Sequence, residues 1–204
     1  MQFDLEKTGQ LMFVVSGLSG VGKDAVIKTV ADRGNVDFCF VITTTSRPPR
    51  PDEVDEVDYF FVSEERFQEM VDNDELVEHA VVYGQNKGIS KRAIKIAQES
   101  GRDIMIRVDV QGAASVRAFY PKAVLIFMIP ENFEVWVERL RARGSESEDE
   151  LKIRIEKAKN ELEAAKQIFD YVIINEDEHL KDAADVLESI ILAEHHRITN
   201  SGMI

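Results

Sequence analysis

Apolar residues are arranged along this chain in two alternating patterns. Short continuous runs rich in Val, Ile, Leu and Phe alternate with longer segments in which apolar residues recur every three or four positions. The runs are typical of strands buried on both faces, and the wider spacing is typical of amphipathic helices. The predicted strands are residues 11–15, 38–45, 59–62, 75–83, 104–108, 123–129 and 171–174. Buried strands that alternate with helices predict a parallel sheet in a single α/β domain.

Polar residues at the helix starts support this prediction. Ser63 precedes one helical segment, and Ser147 with Glu150 forms a capping-box pattern before the longest one. Phe133 begins an apolar helical stripe, and we interpret all such stripes as core. Residues 84–88, which have a glycine at each end, are predicted to form a turn.

The first strand leads directly into a glycine-rich loop. Gly17, Gly22 and Lys23 have the spacing of the G-x-x-x-x-G-K phosphate-binding signature, and a helical segment follows them. In that signature, backbone N–H groups and the lysine contact a phosphate chain, and the helix N-terminus adds partial positive charge. Asp24 and Ala25 stand where the signature continues with a hydroxyl residue that binds Mg²⁺. An ordinary glycine-rich turn would explain the glycines but not the lysine, so phosphate binding is the favoured interpretation.

Composition narrows the class of protein. The 204 residues carry a net charge of −13, whereas a surface that follows nucleic-acid phosphates should be basic, so we expect no nucleic-acid partner. No apolar run reaches membrane-spanning length, and the single cysteine, Cys39, lies in a predicted strand and is expected to be buried. These features predict a cytoplasmic protein that does not bind membranes. The four histidines lack metal-ligand spacing.

Several charged residues are candidates for a site. Arg47 and Arg50 lie in a proline-rich loop whose fixed φ angles hold the two side chains apart. Glu78 lies in an apolar strand, where an unpaired buried carboxylate is costly. Taken alone, the loop arginines are also explained as solvated side chains, and Arg143 and Arg154 as members of surface ion pairs.

Four blocks of sequence, in this order, are similar to the guanylate kinases, the nucleoside monophosphate kinases that convert GMP to GDP. The similarity extends over about residues 11–194 and is of the bacterial type. It implies a P-loop NTPase core with a five-stranded parallel sheet, a small α+β GMP-binding insertion and a helical lid. The blocks are residues 17–23, 45–50 with 58–61, 109–112, and 139–144 with 170–175. The implied boundaries are a core of residues 1–42, 92–130 and 159–204, a GMP-binding lobe of 43–91 and a lid of 131–158.

The resemblance also implies roles for individual residues. Two carboxylates would accept hydrogen bonds from guanine N–H donors and would repel the acceptor edge of adenine. These are Glu78 and Asp109. The residues that would bind GMP are Thr43, Arg47, Arg50, Tyr59, Glu78, Lys87 and Asp109. The residues that would bind ATP are Gly17, Ser19, Gly20, Val21, Gly22, Lys23, Asp24, Ala25 and Asn175. The catalytic cations, which would neutralise the phosphoryl group in transfer, would be Lys23, Arg47, Arg50, Arg143 and Arg154.

The chain departs from the family pattern near these residues. Arg107 stands where an aspartate is usual, Lys87 replaces a tyrosine that touches the GMP phosphate, and Ile89 replaces a hydroxyl residue that reaches guanine O6. In the sheet that the resemblance implies, the strand that ends near Asp109 lies beside the strand that leads into the phosphate loop. Asp24 and Arg107 should therefore both project near the carboxyl ends of these strands, where doubly wound folds place their ligands. We therefore expect these two side chains to form a salt bridge, and Asp24 is a possible Mg²⁺ ligand.

Three functions are consistent with the sequence. The first is an active guanylate kinase that uses ATP with Mg²⁺ and phosphorylates GMP or dGMP, as a monomer or weak homo-oligomer. The second is a kinase of the same fold that acts on another nucleotide or a sugar phosphate, which the replacements at Lys87 and Ile89 favour. The third is a catalytically inactive guanylate-kinase-like binding module. The retained Lys23, Arg47 and Arg50 are evidence against the third.

Overall fold

Two β-sheets and seven α-helices are present in the computed structural model, which describes residues 9–51, 53–82, 84–142 and 148–198. In chain order these elements are β1 Met12–Gly17, α1 Lys23–Arg33, β2 Phe38–Phe40, β3 Thr44–Thr45, β4 Phe60–Phe61, α2 Glu64–Asp72, β5 Leu76–Val82, β6 Gln85–Ser90, α3 Lys91–Glu99, β7 Asp103–Arg107, α4 Val110–Phe119, β8 Val124–Pro130, α5 Phe133–Ala142, α6 Glu148–Ile168, β9 Tyr171–Asn175 and α7 Leu180–Glu194.

The larger sheet is the five-stranded parallel sheet that the family resemblance implies. Its strand order is β2-β7-β1-β8-β9, and every neighbouring pair is parallel. The side chains of β1 alternate between two apolar clusters: Phe13 and Val15 face the cluster that includes α1 and α7, whereas Met12 and Val14 face the cluster that includes α3 and α4. The three central strands, β7, β1 and β8, are buried on both faces, which explains why they are continuous apolar runs. The same expectation is wrong for the edge strand β9, because Val172 and Ile174 on one of its faces are 58% and 51% exposed.

The smaller sheet contains four strands in the order β4-β3-β6-β5. Two sequence predictions are wrong here. Residues 38–45 are not one strand, because β2 joins the parallel sheet and β3 joins the smaller one. Residues 84–88 are not simply a turn, because β6 starts at Gln85 and pairs antiparallel with both β3 and β5. This pairing supplies backbone hydrogen bonds to a polar segment that has no apolar strand pattern of its own.

Helix caps agree with the sequence where the structure describes them. The Ser63 hydroxyl accepts a hydrogen bond from the backbone N–H of Arg66 at 3.1 Å, and α1 ends at Gly34, which has a φ of +67°. The predicted capping box of Ser147 with Glu150 cannot be compared with the structure, because Ser147 lies outside the described residues and only the backbone of Glu150 is described.

Helices α5 and α6 pack on the loop that follows β1. Trp136 is 1% exposed and donates a hydrogen bond from its indole N–H to the carbonyl oxygen of Ser19 at 2.8 Å. Phe133, in contrast, is 51% exposed, so its prediction as a core residue is wrong. Phe133 is the first residue of α5, and only the later turns of this helix reach the core. Cys39 lies in a strand as predicted but is half-buried. Among the described residues, none of the helices combines the length and the hydrophobicity that a membrane span requires.

Candidate functional site

A cavity of about 180 Å³ lies between the two sheets, at the carboxyl ends of β1 and β7. This is the edge at which open α/β sheets bind their ligands. Nine residues proposed from the sequence line it: Gly17, Ser19, Lys23, Asp24, Thr43, Tyr59, Glu78, Lys87 and Asp109. The lining also includes Ala80, Arg107, Val108, Lys157 and Glu161, none of which the sequence placed among the binding residues.

The other proposed residues do not line this cavity or lie outside the description. Arg143 is not among the described residues. Asn175 is 6% exposed and donates a hydrogen bond from its side-chain amide to the carbonyl oxygen of Val21 at 2.7 Å, beneath the phosphate loop. The remaining residues absent from the lining are Gly20, Val21, Gly22, Ala25, Arg47, Arg50 and Arg154.

The phosphate loop forms one wall of the cavity. Lys23 is the first residue of α1, and its ammonium group donates to the carbonyl oxygens of Gly17 at 2.7 Å and Leu18 at 3.0 Å. Gly17 has a φ of +145°, and a side chain there would overlap the backbone carbonyl of Met128 on the neighbouring strand. The loop therefore requires glycine at this position, and it places a cation beside a helix N-terminus.

Two carboxylates lie on the opposite wall. Glu78, on β5, is 8% exposed, and burial followed by the negative charge of Asp109 raises its pKa from 4.5 to about 7. Asp109 caps α4 by accepting a hydrogen bond from the backbone N–H of Gly112 at 2.9 Å. A methyl group on Gly112 would come within 3.1 Å of the Glu78 carboxylate. The first turn of α4 therefore packs directly on Glu78.

Cations surround the ring of Tyr59. Arg47, Lys87 and Arg107 have their charged groups 5.1, 5.4 and 5.5 Å from the ring centroid. Burial, followed by repulsion from Arg47 and Arg50, lowers the pKa of Lys87. This clustering of positive charge in a strongly acidic protein is suited to an anionic ligand.

Glu53 organises the arginine loop, although the sequence did not single it out. Its carboxylate accepts two hydrogen bonds from the Arg47 guanidinium, at 2.5 and 2.6 Å, and one from the Arg50 backbone N–H at 2.9 Å. These bonds, the ones from Arg47 above all, lower the pKa of Glu53 to about 2. The Arg50 side chain is 72% exposed and does not line the cavity.

The expected salt bridge between Asp24 and Arg107 is present. Nη1 of Arg107 contacts the carboxylate of Asp24, and Nη2 donates to the Tyr59 hydroxyl at 3.1 Å. Burial lowers the pKa of Arg107 to about 10, so the guanidinium remains charged at neutral pH. Arg107 thus lies between the phosphate loop and the smaller sheet.

Helix α6 supplies the last wall. Arg154 donates a hydrogen bond to the Ser19 hydroxyl, and Lys157 and Glu161 face the cavity from the following turns. Burial raises the pKa of Glu161. The spacing of these three residues, i, i+3 and i+7, places them on one helical face, and this spacing could have identified the two residues that the sequence analysis missed.

Comparisons with known proteins show the family of the chain. The guanylate kinase family model matches residues 10–194. The chain is 43% identical over 189 residues to "Guanylate kinase 2, chloroplastic/mitochondrial" of Oryza sativa subsp. japonica, a match that covers 92% of this chain and 66% of the rice protein. It is 38% identical over 193 residues to the guanylate kinase of Thermotoga maritima, covering 95% of this chain and 91% of that protein.

A solved structure supports the fold. The guanylate kinase of Anaplasma phagocytophilum superposes with a TM-score of 0.74 at 24% identity and covers 94% of this chain and 89% of its own. The family match spans both walls of the cavity, from the phosphate loop to the carboxylates of β5 and α4. The chain belongs to the guanylate kinase family.

Proposed function

We propose that this protein is a guanylate kinase that transfers the γ-phosphoryl group of ATP to GMP or dGMP, giving ADP and GDP or dGDP. The observation that carries the proposal is the cavity itself. It brings the phosphate-loop Lys23 on one wall to face Glu78 and Asp109 on the other. A donor nucleotide and a guanine base can therefore be held on opposite sides of the same crevice.

ATP binds at the phosphate loop. Lys23 exchanges its hydrogen bonds to loop carbonyls for the β- and γ-phosphates, and the α1 N-terminus contributes backbone N–H groups. Arg154, which already contacts Ser19 in this loop, approaches the transferring group from α6. Phosphoryl transfer is chiefly positioning and neutralisation of charge, and these cations supply the neutralisation.

GMP binds at the smaller sheet. Glu78 and Asp109 accept hydrogen bonds from guanine N1–H and N2–H, and Thr43, which lines the same cavity, donates to O6. Ile89 is fully buried in the apolar core and does not line the cavity, so it offers no contact to the base. Guanine is preferred because adenine would present an acceptor to these carboxylates and leave them without donors.

The GMP phosphate binds within the cluster of cations around Tyr59. Lys87 lines the cavity and supplies a point charge, and Arg47 is held rigidly by Glu53. Arg50 is exposed in this structure and reaches the phosphate when the loop closes over bound GMP. Arg143, outside the described residues, is proposed as a further cation from the lid segment.

Mg²⁺ accompanies ATP in this proposal. No cluster of three metal-ligating side chains is found in the described part of the chain. Mg²⁺ nevertheless needs only one or two protein oxygens when nucleotide phosphates and water complete its octahedron. Asp24 provides such an oxygen, since its side chain is 72% exposed beside the phosphate loop. Mg²⁺ held there with ATP would supply neutralisation of the negative charge on the phosphates.

The division into core, GMP-binding lobe and lid belongs to the same proposal. The smaller sheet with α2 falls within residues 43–91, and α5 with the start of α6 falls within 131–158. A net charge of −13 supports the expectation that the protein binds neither nucleic acid nor anionic membranes. A cytoplasmic monomer or weak homo-oligomer remains our prediction.

The test is a coupled assay of ADP release from Mg·ATP, with GMP, dGMP, AMP, UMP and sugar phosphates as acceptors. Lys87 and Ile89 favour the alternative of a different acceptor, and the same panel detects it. Turnover of GMP well above AMP supports the proposal. Equal rates with GMP and AMP, or turnover of another acceptor without GMP, would refute it, and no turnover with any acceptor would indicate a binding module.

A further inference from the structure

Arg107 has contacts that the proposed function does not require. It ends β7, its side chain is 17% exposed, and it lies between the residues proposed for the donor and those proposed for the acceptor. We infer that Arg107 is a positioning residue that directs the hydroxyl proton of Tyr59 toward the acceptor phosphate, and that Asp24 holds Arg107 in place. This inference rests on the proposed function, because it assumes that a phosphorylated acceptor binds beside Tyr59.

The hydrogen-bond inventory of the three groups supports the inference. A guanidinium can only donate hydrogen bonds, a phosphate oxygen can only accept them, and a phenol has one proton to donate. Nη2 of Arg107 lies 3.1 Å from the Tyr59 oxygen, so that oxygen accepts from Arg107. The same oxygen also has a side-chain hydrogen bond with Arg47, which likewise can only donate. The phenol proton is then turned away from Arg107 and is available to a phosphate. A carboxylate in place of Arg107 would instead accept the proton and withdraw it from the phosphate.

The position of the guanidinium is determined by its surroundings. Asp24 contacts Nη1, the Phe40 ring lies 5.7 Å from the guanidinium carbon, and the Tyr59 ring lies 5.5 Å from it. Asp24 belongs to the first turn of α1, which is anchored by the phosphate loop. The guanidinium therefore has little freedom to turn away from the Tyr59 hydroxyl, as a positioning role requires.

Arg107 could also attract the acceptor phosphate by its charge alone, and this explanation gives a different result. A purely electrostatic contribution does not depend on the Tyr59 hydroxyl and should persist when that hydroxyl is removed. The positioning role acts only through the hydroxyl and should disappear with it. A double-mutant cycle between Arg107 and Tyr59 separates the two.

The experiment measures the dissociation constant of GMP by titration calorimetry, without ATP, for wild type, Arg107→Met, Tyr59→Phe and the double variant. Each single variant is expected to bind GMP about tenfold more weakly, since a hydrogen bond to a charged phosphate is lost. The double variant is expected to bind no more weakly than Tyr59→Phe. Arg107→Lys, which is still a donor but lacks the second N–H group for Asp24, should fall between wild type and Arg107→Met.

Effects that multiply in the double variant would overturn the positioning role in favour of simple charge attraction, and failure of GMP to bind wild type would overturn it as well. If Arg107→Met does not fold, Asp24→Asn tests the same claim, because loosening the anchor should weaken GMP binding only while the Tyr59 hydroxyl is present. Kinetics of Arg107→Met provide a further readout: its KM for GMP should rise while its KM for ATP stays within about twofold. ADP release by the wild type tests the proposed function separately. Failure of the proposed function can therefore be distinguished from failure of the positioning role of Arg107.

Discussion

Replacing Glu78 with glutamine is expected to stabilise the folded protein and to weaken its binding of GMP. Glu78 is 8% exposed, and burial, with a further contribution from Asp109, raises its pKa from 4.5 to about 7. A raised pKa means that the folded state favours the protonated form. The stability associated with that form is fully present below pH 4.5 and is lost as the pH rises through about 7.

The interval between 4.5 and about 7 corresponds to about 3 kcal/mol in the free energy of unfolding. Glutamine has nearly the same shape as glutamate but carries no charge at any pH. The Glu78→Gln variant should therefore match the wild type near pH 4.5. It should become more stable than the wild type as the pH rises, with a plateau of about 3 kcal/mol above pH 7.

Urea unfolding of both proteins between about pH 4.5 and pH 8.5 measures this difference. The matched control is Glu99→Gln, since Glu99 is exposed on α3 and its pairing with Lys95 at 3.9 Å is a surface contact. The control should differ little from the wild type at any pH. If the stability of Glu78→Gln relative to the wild type does not change with pH, Glu78 is not a buried carboxyl group with a raised pKa, and the reasoning is refuted.

A rise in pH, which lowers the stability of the wild type through ionisation of Glu78, should strengthen its binding of GMP. The wild-type protein should bind GMP more tightly as the pH rises through about 7, because guanine N–H donors require the ionised form of Glu78. The Glu78→Gln variant should have a higher KM for GMP, a reduced preference for GMP over AMP, and no such gain with pH. An unchanged GMP/AMP ratio would remove Glu78 from the base site.

Three further predictions concern other parts of the cavity. Arg50→Ala should lower kcat/KM for GMP more than tenfold and leave ATP affinity nearly intact; because this side chain is 72% exposed, unfolding should be unaffected, and a loss of ATP affinity would contradict the assignment. Gly112→Ala should weaken GMP binding, since its methyl group would come within 2.8 Å of the Val108 Cβ and 3.1 Å of the Glu78 carboxylate. If this variant binds GMP with the affinity of the wild type, the neighbouring groups can move without disturbing the site, and the prediction is wrong. The single replacements Asp24→Ser and Arg107→Asp should each lower activity more than the double replacement, and effects that simply add would refute the coupling.

Features determined by local sequence were predictable. The phosphate loop follows from Gly17, Gly22 and Lys23, and a parallel sheet follows from apolar runs that alternate with helical segments. The number of its strands, five, was implied by the family resemblance. The salt bridge of Asp24 with Arg107 was predictable only with the strand order that the family resemblance implies, in which β1 and β7 are neighbours.

Features determined by pairing between distant segments were not predictable in this way. Strand β6 is polar and glycine-containing, and its conformation depends on hydrogen bonds to β3 and β5. Glu53 appears in the sequence as one of several acidic loop residues, and only the fold brings its carboxylate to Arg47. Likewise, Lys157 and Glu161 are two charges among many on α6 until that helix packs beside the phosphate loop.

The most direct test of the proposed function is the initial rate of ADP formation from Mg·ATP with GMP as acceptor, compared with the rate for AMP at the same concentration. The carboxylates of Glu78 and Asp109 in the cavity predict a high rate with GMP and a rate with AMP that is lower by at least an order of magnitude. Equal rates with the two nucleotides, or no rate with GMP while another acceptor is phosphorylated, would contradict it.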